Sequence, residues 1–145
     1  MTGRRDLAEM LQPLVRSLIA AEQPVLAAHG ITMWGYAVLG ALGDRVVRTQ
    51  AALAEAIGAD KTRIISTLDR LQDAGLISRE PDPRDRRARI LAITARGAEV
   101  CDAVRSAIQA NEDRLLARLT ADERHAFLRA SDTLSRLSRE EVAGS

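Results

Sequence analysis

Large rings are almost missing from this chain: among 145 residues there is one Trp, one Tyr and one Phe. With 46% of the residues hydrophobic but only 2% aromatic, a core has to be built from Leu, Ile, Val and Ala. That favours helix packing over a sandwich or barrel. Cysteine is as scarce. The single Cys101 excludes an intrachain disulfide and suits a reducing compartment. Flanked by Val100 and Val104, it reads as a small buried apolar residue rather than a redox sensor. No apolar run approaches the roughly 18 to 20 residues of a membrane span, and the N-terminus lacks the apolar core of a signal peptide. The expectation is a cytoplasmic protein with no membrane partner.

Signs of enzyme chemistry are absent too. There is no glycine-rich phosphate loop, no nucleophile elbow, no metalloprotease pair and no evident paired carboxylates, so no catalytic residue and no cofactor is assigned. His29, His125 and Cys101 are scattered without a close-spaced ligand pair, and no metal site is expected.

Charge is present but nearly balanced, at a net +1. Its distribution is uneven. Residues 45–96 hold 11 Lys and Arg against 7 Asp and Glu, a balance of +4, whereas both flanks are slightly acidic. Positive charge therefore collects in the middle of the chain, where a polyanion would be met. At this length one domain with a helical extension is expected.

The same middle segment carries the densest structural signals. Asp60 is an N-cap, Ile64, Leu68 and Leu71 recur at helical spacing, and Ala74 with Gly75 supplies a stop. The other face of this helix carries Lys61, Thr62, Arg63, Ser66 and Arg70. Leu76 and Ile77 then signal a short strand, and Arg89–Ile93 a second. Between them Pro81 and Pro83 bracket a charged turn, which predicts a β-hairpin with an extended, arginine-rich tip. Upstream, Thr49 caps a short helix to Ile57, and Gly58 and Ala59 turn the chain. Helix, turn, helix and hairpin make a winged helix-turn-helix, whose second helix normally enters the major groove of DNA.

A DNA-binding surface needs cations for phosphates and shorter polar groups for base edges. Thr62, Arg63 and Ser66, near the N-terminal end of the helix, are the candidates for base contact, with Arg63 first because arginine reads guanine bidentately. Lys61 and Arg70 suit phosphates. Ile65 either touches a thymine methyl or packs inward. Arg84, Arg86 and Arg87, three arginines in four positions on a proline-bordered turn, suit a narrowed minor groove.

The run RTQAALAEAIGADKTRIISTLDRLQDAGLISREPDPRDRRARILAITARG resembles the MarR-type family of bacterial winged-helix transcription regulators. DKTR with LDRLQDAGLI, DPRDRRA and LAITARG are its most specific parts. The resemblance implies Arg86 as the wing's tip residue, Asp85 paired with Arg87 to hold the hairpin's shape, and Arg84 left for backbone phosphate. It implies a repressor, released when a small aromatic molecule binds between the dimer helices and the winged domain. Trp34, Tyr36 and His29 lie near that crevice; ordinary packing around the second helix is the competing reading.

The remaining chain fits a frame around this domain. Leu7 to Ala28 is a long first helix, bent or started late at Pro13 and disturbed again near Pro24. Thr32 caps a helix from Met33 to about Leu42, and Arg45, Val46 and Val47 add a short third strand. Thr94 begins a long helix, and Thr120 with Glu123 forms a capping box before a final amphipathic helix. The expected architecture is mainly α with a small antiparallel β wing. Residues 31–94 form the DNA-binding domain, and 1–30 with 95–145 form the dimerisation helices. Helices with uncovered apolar faces call for a second copy. A two-fold pair sets its recognition helices about 34 to 36 Å apart and requires a pseudo-palindromic site. The alternative is a winged helix used as a protein-interaction module.

Overall fold

The structure, a computed structural model, describes residues 3–43, 47 and 49–144. Its elements run α1 (Leu7–Ala28), α2 (Met33–Leu42), α3 (Gln50–Ile57), α4 (Lys61–Asp73), β1 (Ile77–Asp82), β2 (Asp85–Ile93), α5 (Ala95–Leu116), α6 (Ala121–Ser135) and α7 (Arg139–Ala143). They fall into two compact units, Met1–Ile108 and Gln109–Ser145.

In the first unit the core is aliphatic, as the scarcity of rings requires. Val38, Leu39 and Leu42 of α2, Leu53 of α3, Ile64, Leu68 and Leu71 of α4, and Leu91 of β2 are buried together. Leu26 of α1 forms a second cluster with Val104 and Ile108 of α5. Helices α2, α3 and α4 each start where a side-chain oxygen takes an orphan N–H. Thr32 accepts from Gly35, Thr49 from Ala52 and Asp60 from Arg63. Gly58 ends α3 at φ 71° and Gly75 follows α4 at φ 76°, a left-handed backbone that glycine adopts without a Cβ penalty.

Three features differ from the sequence-based expectation. First, α1 is continuous across Pro13 and Pro24. Each proline removes one intrahelical hydrogen bond and crowds the carbonyl four residues back. A helix of 22 residues retains its remaining bonds on either side. Secondly, the hairpin is longer and its turn tighter. Pro81 lies within β1, paired with Arg89, and the turn shrinks to Pro83 and Arg84 between Asp82 and Asp85. Thirdly, the final helix divides. Ser138 caps α7 in a second capping box with Glu141.

The expected third strand is represented by Val47, which exchanges both backbone hydrogen bonds with Leu91 at 3.1 and 2.8 Å. Arg45 and Val46 lie outside the described residues.

The second unit is opened by the end of α5. Thr120 and Glu123 form the expected capping box, and Arg124 bridges Asp113 at 2.8 Å. Neither α6 nor α7 has a buried residue. Among the described residues no single helix is long and apolar enough to cross a membrane.

Candidate nucleic-acid interface

Helix α4 sorts its residues by chemistry. Ile64, Thr67, Leu68 and Leu71 face the core, while Lys61, Thr62, Arg63, Ser66 and Arg70 are exposed. Ile65, left open between two readings, is 48% exposed and so does not pack inward. The Asp60 carboxylate accepts the Arg63 N–H at 2.7 Å, which fixes the first turn and with it the direction of the outer residues. Ser66 donates its hydroxyl to the Arg63 carbonyl at 3.2 Å, leaving its lone pairs to accept.

The Arg63 guanidinium does not project freely. It lies over the Trp34 ring of α2, 5.6 Å from the centroid. A cleft of about 240 Å³ runs between the two helices, with Trp34, Arg63, Ser66 and Arg70 on its walls. Trp34 is thereby drawn to the outer face of α4.

Tyr36 and His29 are placed elsewhere. Tyr36 sits 5.9 Å under the Arg105 guanidinium of α5, and burial raises its phenol pKa against the opposing pull of that cation. His29 is exposed at the end of α1, its Nδ1 2.9 Å from the Val25 carbonyl oxygen. Trp34 and Tyr36 thus stand on α2 and His29 at the end of α1, each with a contact of its own.

The wing presents its cations along one end of the hairpin. Arg84, Arg86 and Arg87 are all exposed. The tip is Pro83 and Arg84, not Arg86, because Asp82 and Asp85 pair across a two-residue turn. Asp82, itself buried, accepts the Arg84 N–H at 2.9 Å and stabilises that turn. Asp85 accepts the Arg87 backbone N–H at 3.0 Å, so among the described residues it braces the wing through the main chain rather than through a guanidinium. Between the Pro81–Arg89 and Asp82–Asp85 pairs the register shifts, and Arg86, Arg87 and Ala88 bulge out of the ladder.

Sequence reasoning missed Arg79. This β1 residue donates from Nη2 to Asp69 at 2.6 Å and from Nε to Gln72 at 2.5 Å, both on α4. Its Nη1 reaches Gln50, the first residue of α3, at 3.4 Å. Those partners stand 10, 7 and 29 positions away, a spacing no local periodicity reveals. Arg79 and Arg89 also line a cavity of about 330 Å³ with the two glutamines.

Among the described residues no three His, Cys, Asp or Glu side chains converge to hold a metal ion. The arrangement offers instead exposed cations and hydroxyls on a rigid helix, flanked by an arginine-bearing hairpin.

Comparison with known proteins gives this surface a context. The model of the MarR family matches residues 29–88. The transcriptional regulator HosA of Escherichia coli O157:H7 is 31% identical over 128 residues, covering 88% of this chain and 93% of HosA. Among solved structures, the transcriptional repressor CouR bound to a 23-mer DNA duplex is similar at a TM-score of 0.76, with 28% identity, 90% of this chain and 93% of CouR covered. The PcaV transcriptional regulator of Streptomyces coelicolor, in complex with its natural ligand, is similar at 0.65 with 28% identity, covering 92% and 97%.

Proposed function

This chain belongs to the MarR family of transcriptional regulators, and from that premise we propose that two copies of it bind one pseudo-palindromic DNA operator and repress the adjoining gene. The observation that carries the reading is the division of α4 into a buried aliphatic face and an outer face of Lys61, Thr62, Arg63, Ser66 and Arg70, on the fold that CouR uses to hold a duplex. Arg63, Thr62 and Ser66 read base edges in the major groove. Lys61 and Arg70 hold phosphates on either side.

The wing supplies the second contact. Arg84 stands at the turn, and Arg86 and Arg87 bulge just behind it. A guanidinium on such an arch suits a minor groove narrowed enough to concentrate negative potential.

Dimerisation is supported by what each unit leaves uncovered. Helix α1 buries only Leu26 and exposes Leu7, Met10, Leu11, Val15 and Ile19. Helix α6 and its flanks expose Phe127, Leu128, Leu134 and Leu137. Apolar stripes of this extent are stable in water only when covered, and a second copy covers both by symmetry. Residues 1–30 and 95–145 thus form the dimerisation region, and 31–94 the reader.

Release by a small effector is part of the proposal, supported by the ligand-bound likeness of PcaV, and its aromatic character is what the family resemblance implies. The site is the region of Trp34 and Tyr36, where α2 carries both rings.

The test is selection of bound fragments from genomic DNA, followed by sedimentation of protein with the recovered duplex. Two protomers per duplex on a two-fold related sequence are expected. Dimers that retain no fragment would leave the interaction-module reading in its place.

A further inference from the structure

The Arg79 guanidinium spends all three of its nitrogens on protein. Nη2 meets the Asp69 carboxylate, Nε the Gln72 amide oxygen and Nη1 the Gln50 amide oxygen. Its side chain is only 20% exposed, whereas Asp69 is 55% exposed. An arginine held in this way, with a carboxylate already beside it, has little left to offer a phosphate. We propose that Arg79 is a positioning residue, a clamp that fixes the wing to the recognition helix so that both reach DNA as one body.

Geometry gives the clamp its leverage. At about 100° per residue, Asp69 and Gln72 lie roughly 60° apart on α4, on the flank of the helix opposite to Arg63 and Arg70. Arg79 stands at the third position of β1, paired with Leu91. The hairpin continues from there to Arg84 as a two-stranded ribbon. A two-stranded ribbon twists and bends readily, so a small rotation at its base becomes a larger displacement at the tip. The chain link through Ala74, Gly75 and Leu76 is bonded back onto the end of α4, but it holds only the first strand's start and not the ribbon beyond it. To the apolar anchorage of Ile77 and Leu91 in the core Arg79 adds a polar attachment on the α4 flank, and through Gln50 it extends to the first helix of the helix-turn-helix.

The clamp itself is a statement about the free protein. Its consequence for binding rests on the DNA-reading proposal above.

Two measurements on the full chain separate these. In hydrogen exchange, Arg79→Gln is expected to speed exchange of the wing amides by about tenfold while the α2 core keeps its protection. The charge-swapped pair Asp69→Arg with Arg79→Asp should recover much of that protection, because the Gln72 amide can donate as well as accept. Asp69→Asn, at an exposed position, should loosen the wing in the same direction. Parental exchange in both Arg79→Gln and Asp69→Asn would overturn the clamp.

In DNA binding, loss of a clamp should lower affinity for the selected site and spare non-specific duplex. The ratio should fall about tenfold, the scale of one mismatched base pair. If both affinities fall together and the salt slope flattens by about one, Arg79 is a phosphate contact and the proposal is wrong. Failure of the unaltered protein to bind any duplex would sink the DNA-reading proposal, and the exchange result would still decide the clamp.

Discussion

At Arg63 two interactions compete for one guanidinium. Stacking on Trp34 at an exposed site is worth about 0.5 to 1 kcal/mol, whereas a bidentate contact to guanine discriminates by roughly 1 to 3 kcal/mol. On the proposed reading the base would outcompete the ring, and Trp34 would hold the side chain near the groove beforehand. Arg63→Ala is expected to relax preference at one base position about tenfold or more, as read by competition with single-base variants of the operator. Arg86→Ala should instead weaken all sequences evenly and flatten the salt dependence. Gly97 is a residue whose need is steric. A Cβ there would run into the Leu76 carbonyl and the Ile93 side chain, at the point where Thr94 donates to the Gly75 carbonyl and accepts the Gly97 N–H. Gly97→Ala should cost about 1 to 3 kcal/mol, seen as a lower midpoint in thermal or denaturant unfolding. The outer cations of α4 were legible from helical spacing alone. Arg79 was not, because only the folded chain brings it to Asp69, Gln72 and Gln50.

At the scale of elements, periodicity and caps carried most of the information. Thr32, Thr49, Asp60 and Thr120 all cap as their residue types predict. The wing was harder to delimit, since Pro81 and Pro83 both signal a turn and only Pro83 makes one. Pro81 is accommodated in the first strand of a two-stranded sheet, where a missing N–H need not break a ladder on both sides. The division before α7 could have been read from Ser138 and Glu141, a second capping box. The first capping box has a pH consequence. The backbone and hydroxyl of Thr120 hold the Glu123 carboxyl below its ordinary value of 4.5. A depressed folded-state pKa contributes stability above the unfolded value, and that contribution is lost as pH falls through the folded one. Titration of Glu123 by NMR should give a midpoint under 4.5, with Thr120→Ala returning it upward. Because the Thr120 backbone N–H survives the substitution, the return should be partial, and a parental midpoint at or above 4.5 would contradict the box as the cause.

For the whole molecule, the decisive fact is that its ends are unfinished. Helices α6 and α7 bury nothing, and α1 shows apolar residues along most of its length. The apolar faces were legible in the sequence, because Leu and Ile recur at helical spacing in these segments, and they are what the proposed dimer would cover. The sequence could not show which residues would meet in the proposed dimer, since that depends on the arrangement of two chains. In the proposed complex two copies would bring Lys61, Arg70, Arg84, Arg86 and Arg87 to one duplex twice over. If half of those cations displace counterions, log K should fall against log salt with a slope of roughly −5. The most direct test of the account is that salt titration, read by sedimentation on the selected operator. Two protomers per duplex and a slope near that value are expected. One protomer per duplex, or an affinity indifferent to salt, would contradict the account.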